Sequence, residues 1–214
     1  MKRREFSAGL IGAGLAAGGV MPAARAQGGP VEGKDYLRLS QPLPPTDSGK
    51  IEVLDFFSYA CPHCNAFGPI LDPRARKLPA DVVLRHIPVP FMINSENFQR
   101  LYFSLEVMGQ VDALHRKVFF AVHNEHQRLD KPADIAAFVA KNGVDSAKFL
   151  DVFNSFSVQT KARQAAQLTQ AYKVDGVPCL GVQGKYLTSA TLTGSADRAL
   201  SVTDFLIQRV RSKA

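Results

Sequence analysis

The sequence predicts an α/β fold in which a mainly parallel sheet is interrupted by a long helical insertion. Three observations carry that expectation. The first is the run Ile51-Glu52-Val53-Leu54-Asp55-Phe56-Phe57, nearly continuous in apolar and β-prone residues, as expected of a strand buried on both faces. It leads into a helical stretch to about residue 78, and a second β-rich run follows at 82–87. Strand–helix–strand in that order is a right-handed crossover unit. The second is a change of period at about residue 95, where Phe98, Leu101, Tyr102 and Leu105 fall at helical spacing, and the stripe continues through Leu114, Val118, Phe119, Val122, Ile135, Phe138, Val139, Phe149 and Phe153. The third is a return to β character near the end. Residues 179–182 and 185–188 flank Gly184 as a hairpin, and 197–211 reads as a closing helix.

The elements before and between these follow from local chemistry. Residues 27–50 hold Gly28, Gly29, Pro30, Pro42, Pro44, Pro45 and Gly49, a turn-rich lead-in with room for one edge strand at 36–40. Pro62 suits a first helical turn, where its missing N–H costs nothing, and Pro69 and Pro73 predict kinks further along. Asp145 or Ser146 is placed to cap a helix. The stretch 158–172, rich in Gln and Ala, reads as another helix.

The N-terminus predicts export. Lys2-Arg3-Arg4 precede a weakly apolar stretch, and Ala24-Arg25-Ala26 is a small-residue cleavage pattern. Together they mark 1–26 as a signal peptide with a mature start at Gln27. Arg3-Arg4-Glu5-Phe6 resembles a twin-arginine signal, with the general secretory route as the alternative. The apolar run is too short to span a bilayer, and no later segment reaches that length. The mature portion, 27–214, is expected to be one soluble domain. Of the net charge of +7, the segment 1–26 carries +3, leaving +4. That balance, with no further basic run, argues against a nucleic-acid binder. Exported proteins meet an oxidising compartment, yet there are only three cysteines, Cys61, Cys64 and Cys179. One close pair plus one odd thiol is not a disulfide scaffold.

The pair sits where chemistry is expected. A cysteine between a strand end and a helix start meets unpaired N–H groups and a partial positive charge, both of which favour a thiolate. His63 adds a donor or a positive charge beside it. Cys64 lies one turn further on. An exposed Cys61 sulfur can therefore form a mixed disulfide with a partner thiol, and Cys64 can resolve it. Stabilising the reduced thiolate makes the disulfide a stronger oxidant, so His63 argues for an oxidase rather than a reductase. No metal is expected, because Cys179 stands alone and His123 and His126 are too close for a zinc pair. His115, His123 and His126 are read as surface or packing residues. Far downstream, Gly176-Val177-Pro178 offers a proline to face the pair. With Cys-Pro-His-Cys present, a cis Val177-Pro178 bond is expected, exposing the Val177 backbone for pairing with an extended substrate strand.

Leu54-Asp55-Phe56-Phe57-Ser58-Tyr59-Ala60-Cys61-Pro62-His63-Cys64, followed by Gly176-Val177-Pro178, resembles the DsbA family of disulfide-forming oxidases over nearly all the mature chain. The resemblance implies a thioredoxin-like fold with a helical insertion at about 92–165, and a periplasmic, monomeric protein. It implies that no cofactor is used beyond the Cys61–Cys64 disulfide, which is donated to folding exported proteins with free cysteines. Re-oxidation would come from a DsbB-like, quinone-linked membrane protein. By motif position Cys61 is the reactive thiol, Cys64 the resolving one and Pro178 the cis proline. Asp55 lies where the family often places a buried acid, a proton store for Cys64 with Arg85 or His86 as its basic partner. Cys179 departs from the family pattern, as a small buried apolar residue or as a thiol near the pair. Three alternatives remain open: a reductase, isomerase or client-specific relative; a thioredoxin-like binding module; and a metal carrier.

Overall fold

The computed structural model describes residues 29–44 and 49–212, so the expected signal at 1–26 lies outside the described residues. Five strands form one sheet: β1 (Leu37–Arg38), β2 (Ile51–Phe57), β3 (Val82–Pro88), β4 (Cys179–Val182) and β5 (Tyr186–Ser189), in the order β1-β5-β4-β2-β3. α1 (Pro62–Ala75) crosses from β2 to β3, which pair in parallel as expected. Every other pairing in the sheet is antiparallel. The sheet is therefore mixed rather than mainly parallel. Only one helical crossover feeds it, and a short hairpin supplies β4 and β5.

Between β3 and β4 run α2 (Ser95–Val107), α3 (Val111–His123), α4 (Pro132–Lys141), α5 (Ser146–Phe153) and α6 (Phe156–Ala171). The expected limit of the helical stretch at 165 falls inside α6. Asp145 caps α5 by accepting from the Lys148 amide at 2.9 Å. After β5 come α7 (Ala190–Thr193), not foreseen from the pattern, and α8 (Ala196–Arg211). The lead-in strand is shorter than 36–40 and pairs at the sheet edge.

β2 is buried along its whole length. Its alternating side chains serve two cores. Ile51 and Val53 pack with Phe67 and Leu71 of α1 and with Leu200, Leu206 and Ile207 of α8. Leu54 and Phe56 join the apolar sides of α2 to α6. α1 carries Pro69 and Pro73 within a continuous helix and ends at Ala75, a turn short of the expected end. Pro69 has no N–H to give the Asn65 carbonyl, and Arg116 Nη2 of α3 fills that place at 3.0 Å.

Glycine is required where β4 passes Tyr172. A Cβ on Gly181 would lie 2.5 Å from the Tyr172 ring. That ring is held by packing on Phe56, centroids 5.1 Å apart, and by a 2.8 Å bond from the Gly184 amide to its hydroxyl. Gly181→Ala is therefore expected to lower stability by about 1–3 kcal/mol, the usual cost of overpacking a rigid site, as read by urea denaturation.

Candidate active site

Cys61 and Cys64 are both free thiols at the start of α1, and each is nearly buried. Cys61 is the N-cap residue, with extended backbone (φ −91°, ψ 115°), and its sulfur accepts from the Cys64 amide at 3.4 Å. Pro62 takes the first helical position and His63 is exposed beside it. Hydrogen bonding from Cys64 lowers the Cys61 pKa to about 6. Burial opposes this, and the amides of Cys64 and His63 and the charge of His63 add to the lowering. Cys64 is driven the other way, far above the ordinary thiol range, by its hydrogen bond with Cys61 and by burial. The pair thus divides its labour: one sulfur is a thiolate at neutral pH and the other keeps its proton.

The expected exposed sulfur differs from what is found, since Cys61 is only 4% exposed. Its Sγ lies 3.5 Å from the Val177 carbonyl, so the segment 176–178 covers part of it. The Val177-Pro178 bond is cis, as expected. Cys179, just beyond, is buried; its thiol is directed to the Gly176 carbonyl at 2.9 Å, and burial pushes its pKa up to about 12. It keeps its proton at neutral pH.

Asp55 lies inside the sheet beneath the pair. In the parallel β2–β3 register Asp55 stands opposite His86, so the two share a face, and Asp55 Oδ2 meets His86 Nδ1 at 2.8 Å. The other candidate, Arg85, points to the opposite face and pairs with Glu52 at 2.5 Å. Strand alternation decides between them. Burial works to lower the His86 pKa, but the Asp55 hydrogen bond and charge outweigh it and raise it. Asp55 Oδ1 is buried with no hydrogen-bond partner among the described residues. Asp55, Cys64, His86, Asp72 and His115 line one small internal cavity. No group of His, Cys, Asp and Glu among the described residues could hold a metal ion.

The sequence pointed to neither Tyr59 nor Asp72 as a site residue, and it gave His115 only a surface or packing role. Tyr59, fully buried, shares a 2.8 Å hydrogen bond with His115 Nδ1, and the Tyr59 carbonyl accepts from His123 Nε2 at 2.9 Å. The adjacency of Tyr59 to the motif was the one available signal. The partners lie on α3, too distant in sequence for spacing to reveal them. His126 sits apart, in a loop with φ 54°.

A thiolate-forming Cys-Pro-His-Cys at a helix start, facing a cis proline on a thioredoxin-like sheet, defines a thiol–disulfide oxidoreductase. Comparison with known proteins agrees. A family model described as a DSBA-like thioredoxin domain matches residues 52–201. The chain is 42% identical over 213 residues to the thiol:disulfide interchange protein DsbA of Bordetella parapertussis, covering 99% of this chain and 100% of the relative. Against the protein of the same name from Pseudomonas aeruginosa it is 41% identical over 182 residues, 85% of this chain and 86% of that one. The crystal structure of Pseudomonas aeruginosa DsbA superposes with a TM-score of 0.83 at 40% identity, covering 86% of this chain and 95% of that one. The oxidoreductase NmDsbA1 of Neisseria meningitidis superposes at 0.75 with 28% identity, covering 86% of this chain and 95% of that one. The chain belongs to the DsbA family.

Because the folded pKa of Cys61 is near 6 against an ordinary 9, its ionisation stabilises the reduced fold. That contribution is complete above about pH 9 and is lost as pH falls through about 6. The stability gap between reduced protein and Cys61→Ser is expected to widen as pH rises from 6 to 9. Ultraviolet thiolate absorbance should show the matching titration, absent in Cys61→Ser and kept in Cys179→Ala.

Proposed function

We propose that this protein is a periplasmic dithiol oxidase that gives its Cys61–Cys64 disulfide to exported proteins as they fold. The observation that carries this is the split between a thiolate at Cys61 and a protonated, buried Cys64. A client thiolate attacks Cys61 Sγ; the Cys61–Cys64 bond breaks and Cys64 leaves, taking up a proton. A second client thiolate then attacks the client sulfur of the mixed disulfide and expels Cys61 as a thiolate. The client is oxidised by two electrons and the protein is reduced to its dithiol. The lowered Cys61 pKa makes it a good leaving group and favours the reduced product.

The substrate side is built by His63, Ala66 and Ile70 of α1, Val177 and Pro178, and Ala190, Thr191 and Ala196, which line one groove beside the pair. Ile70 is exposed on it. An extended client segment lies in this groove, its backbone facing the half-buried Val177 and its cysteine reaching Cys61. The reading takes residues 27–214 as one thioredoxin-like domain with its helical insertion at about 92–165, following a signal at 1–26, and the protein as a monomer. In this reading a separate DsbB-like, quinone-linked membrane protein restores the disulfide.

In that return step the Cys61 thiolate attacks the partner's disulfide, and Cys64 must lose its proton to displace the partner. Asp55, with one oxygen lacking a hydrogen-bond partner among the described residues and the other held by His86, is the base that takes it. Asp55→Asn is expected to slow closure of the Cys61–Cys64 disulfide by about tenfold or more, with mixed disulfide accumulating on rapid acid quench. Unchanged closure would remove Asp55 from the mechanism.

The function itself is tested with a reduced, unfolded client protein. Wild type should oxidise it stoichiometrically. Cys61→Ser should be inactive, and Cys64→Ser whose Cys61 is first activated as a mixed disulfide with thionitrobenzoate should release thionitrobenzoate and hold a client–Cys61 mixed disulfide. Oxidation that survives Cys61→Ser would refute the reading.

A further inference from the structure

The helix that faces the active site from the inserted region makes two hydrogen bonds to one residue of the loop carrying the nucleophile. From α3, His115 reaches the Tyr59 hydroxyl at 2.8 Å, and two turns later His123 Nε2 reaches the Tyr59 carbonyl at 2.9 Å. Tyr59 lies two residues before Cys61. Its loop is already a closed turn, with the Cys61 amide bonded to the Ser58 carbonyl at 3.0 Å and the Ala60 amide to Ser58 Oγ at 3.2 Å. We infer that His123 is a positioning residue for Cys61, which holds the sulfur where the helix amides stabilise its thiolate. The inference rests on the assignment of Cys61 as the reactive thiol.

The chemistry of each contact supports this. Tyr59 is fully buried against Phe57, Phe98, Phe119 and His115, and a buried phenol needs a polar partner. Burial keeps its hydroxyl protonated and keeps His115 uncharged. This first contact is a fixed, neutral anchor deep in the core.

The second differs in kind. A carbonyl oxygen only accepts, so His123 Nε2 must carry the hydrogen, and it does so whether or not the ring is charged. The ring is oriented by stacking on Phe119, centroids 6.1 Å apart and 21° between planes. The bond falls on the main chain, where its effect passes directly through Ala60 to Cys61. The stabilisation of the thiolate depends on its contact with the helix amides, 3.4 Å from the sulfur to the Cys64 nitrogen. Such contacts weaken steeply with displacement, so a small shift of the loop reaches the Cys61 pKa.

The test compares His123→Phe with His123→Gln in otherwise intact mature protein. Phe keeps a flat ring on Phe119 and lacks the donor; Gln places an amide N–H near the Nε2 position. The primary readout is the Cys61 thiolate titration in the reduced protein, with thermal stability measured alongside. His123→Phe should raise the Cys61 pKa by about half to one unit, a three- to tenfold drop in its ionisation constant and about a two- to fivefold loss of thiolate at the original midpoint, and His123→Gln should return most of it. Unchanged titration in His123→Phe, even with lowered thermal stability, would overturn the inference and leave His123 as packing. Equal defects in both variants would overturn it too. Client oxidation by wild type is scored separately, so failure of the oxidase reading would show there while the titration still reports on the loop.

Discussion

A helix leaves its first amides unpaired, and a sulfur placed against them is more stable as an anion than as a thiol. Cys61 occupies that place at the head of α1, accepting from the Cys64 amide. The rest of the site follows from this one charge. The thiolate lowers the energy of the reduced state, which makes the oxidised pair a strong acceptor of electrons. It also makes Cys61 a ready leaving group and raises the cost of ionising Cys64 beside it.

That division creates a problem which the sheet addresses. A buried sulfur that must alternately hold and release a proton needs a base within the protein. In the proposed cycle that base is Asp55 of β2, which the neighbouring strand meets with His86 in direct register. Burying a carboxylate is costly unless it is paired, and here the pairing comes from a group whose own charge the carboxylate favours. The same strand sends Glu52 to its other face, where Arg85 answers it. β2 is thus a wholly buried strand carrying two acids, each matched by a residue of β3 on its own side.

Much of this was legible in the sequence. The β2–α1–β3 crossover, the hairpin of β4 and β5 and the helical stretch between them followed from periodicity and from glycine and proline placement. The sheet's direction did not, because a hairpin's pairing to a distant strand leaves no local trace. The Cys61–Cys64 pair and Pro178 were visible as motifs. His86 was one of two choices, since neighbouring residues on a strand point to opposite faces and the phase was unknown. Tyr59, His115 and His123 went unread as a unit. Each is an ordinary aromatic or helical residue alone, and only the packing of α3 across the loop brings them together. The burial of Cys61 was also missed, because its cover comes from Val177, more than a hundred residues away.

The most direct test of the central claim is the equilibrium of the Cys61–Cys64 pair with glutathione, measured on mature protein carrying Cys179→Ala. A thiolate stabilised at the head of α1 predicts an oxidising potential, well above about −200 mV. A potential near that of thioredoxin, about −270 mV, would contradict the account and make the protein a reductase fed by electrons from elsewhere.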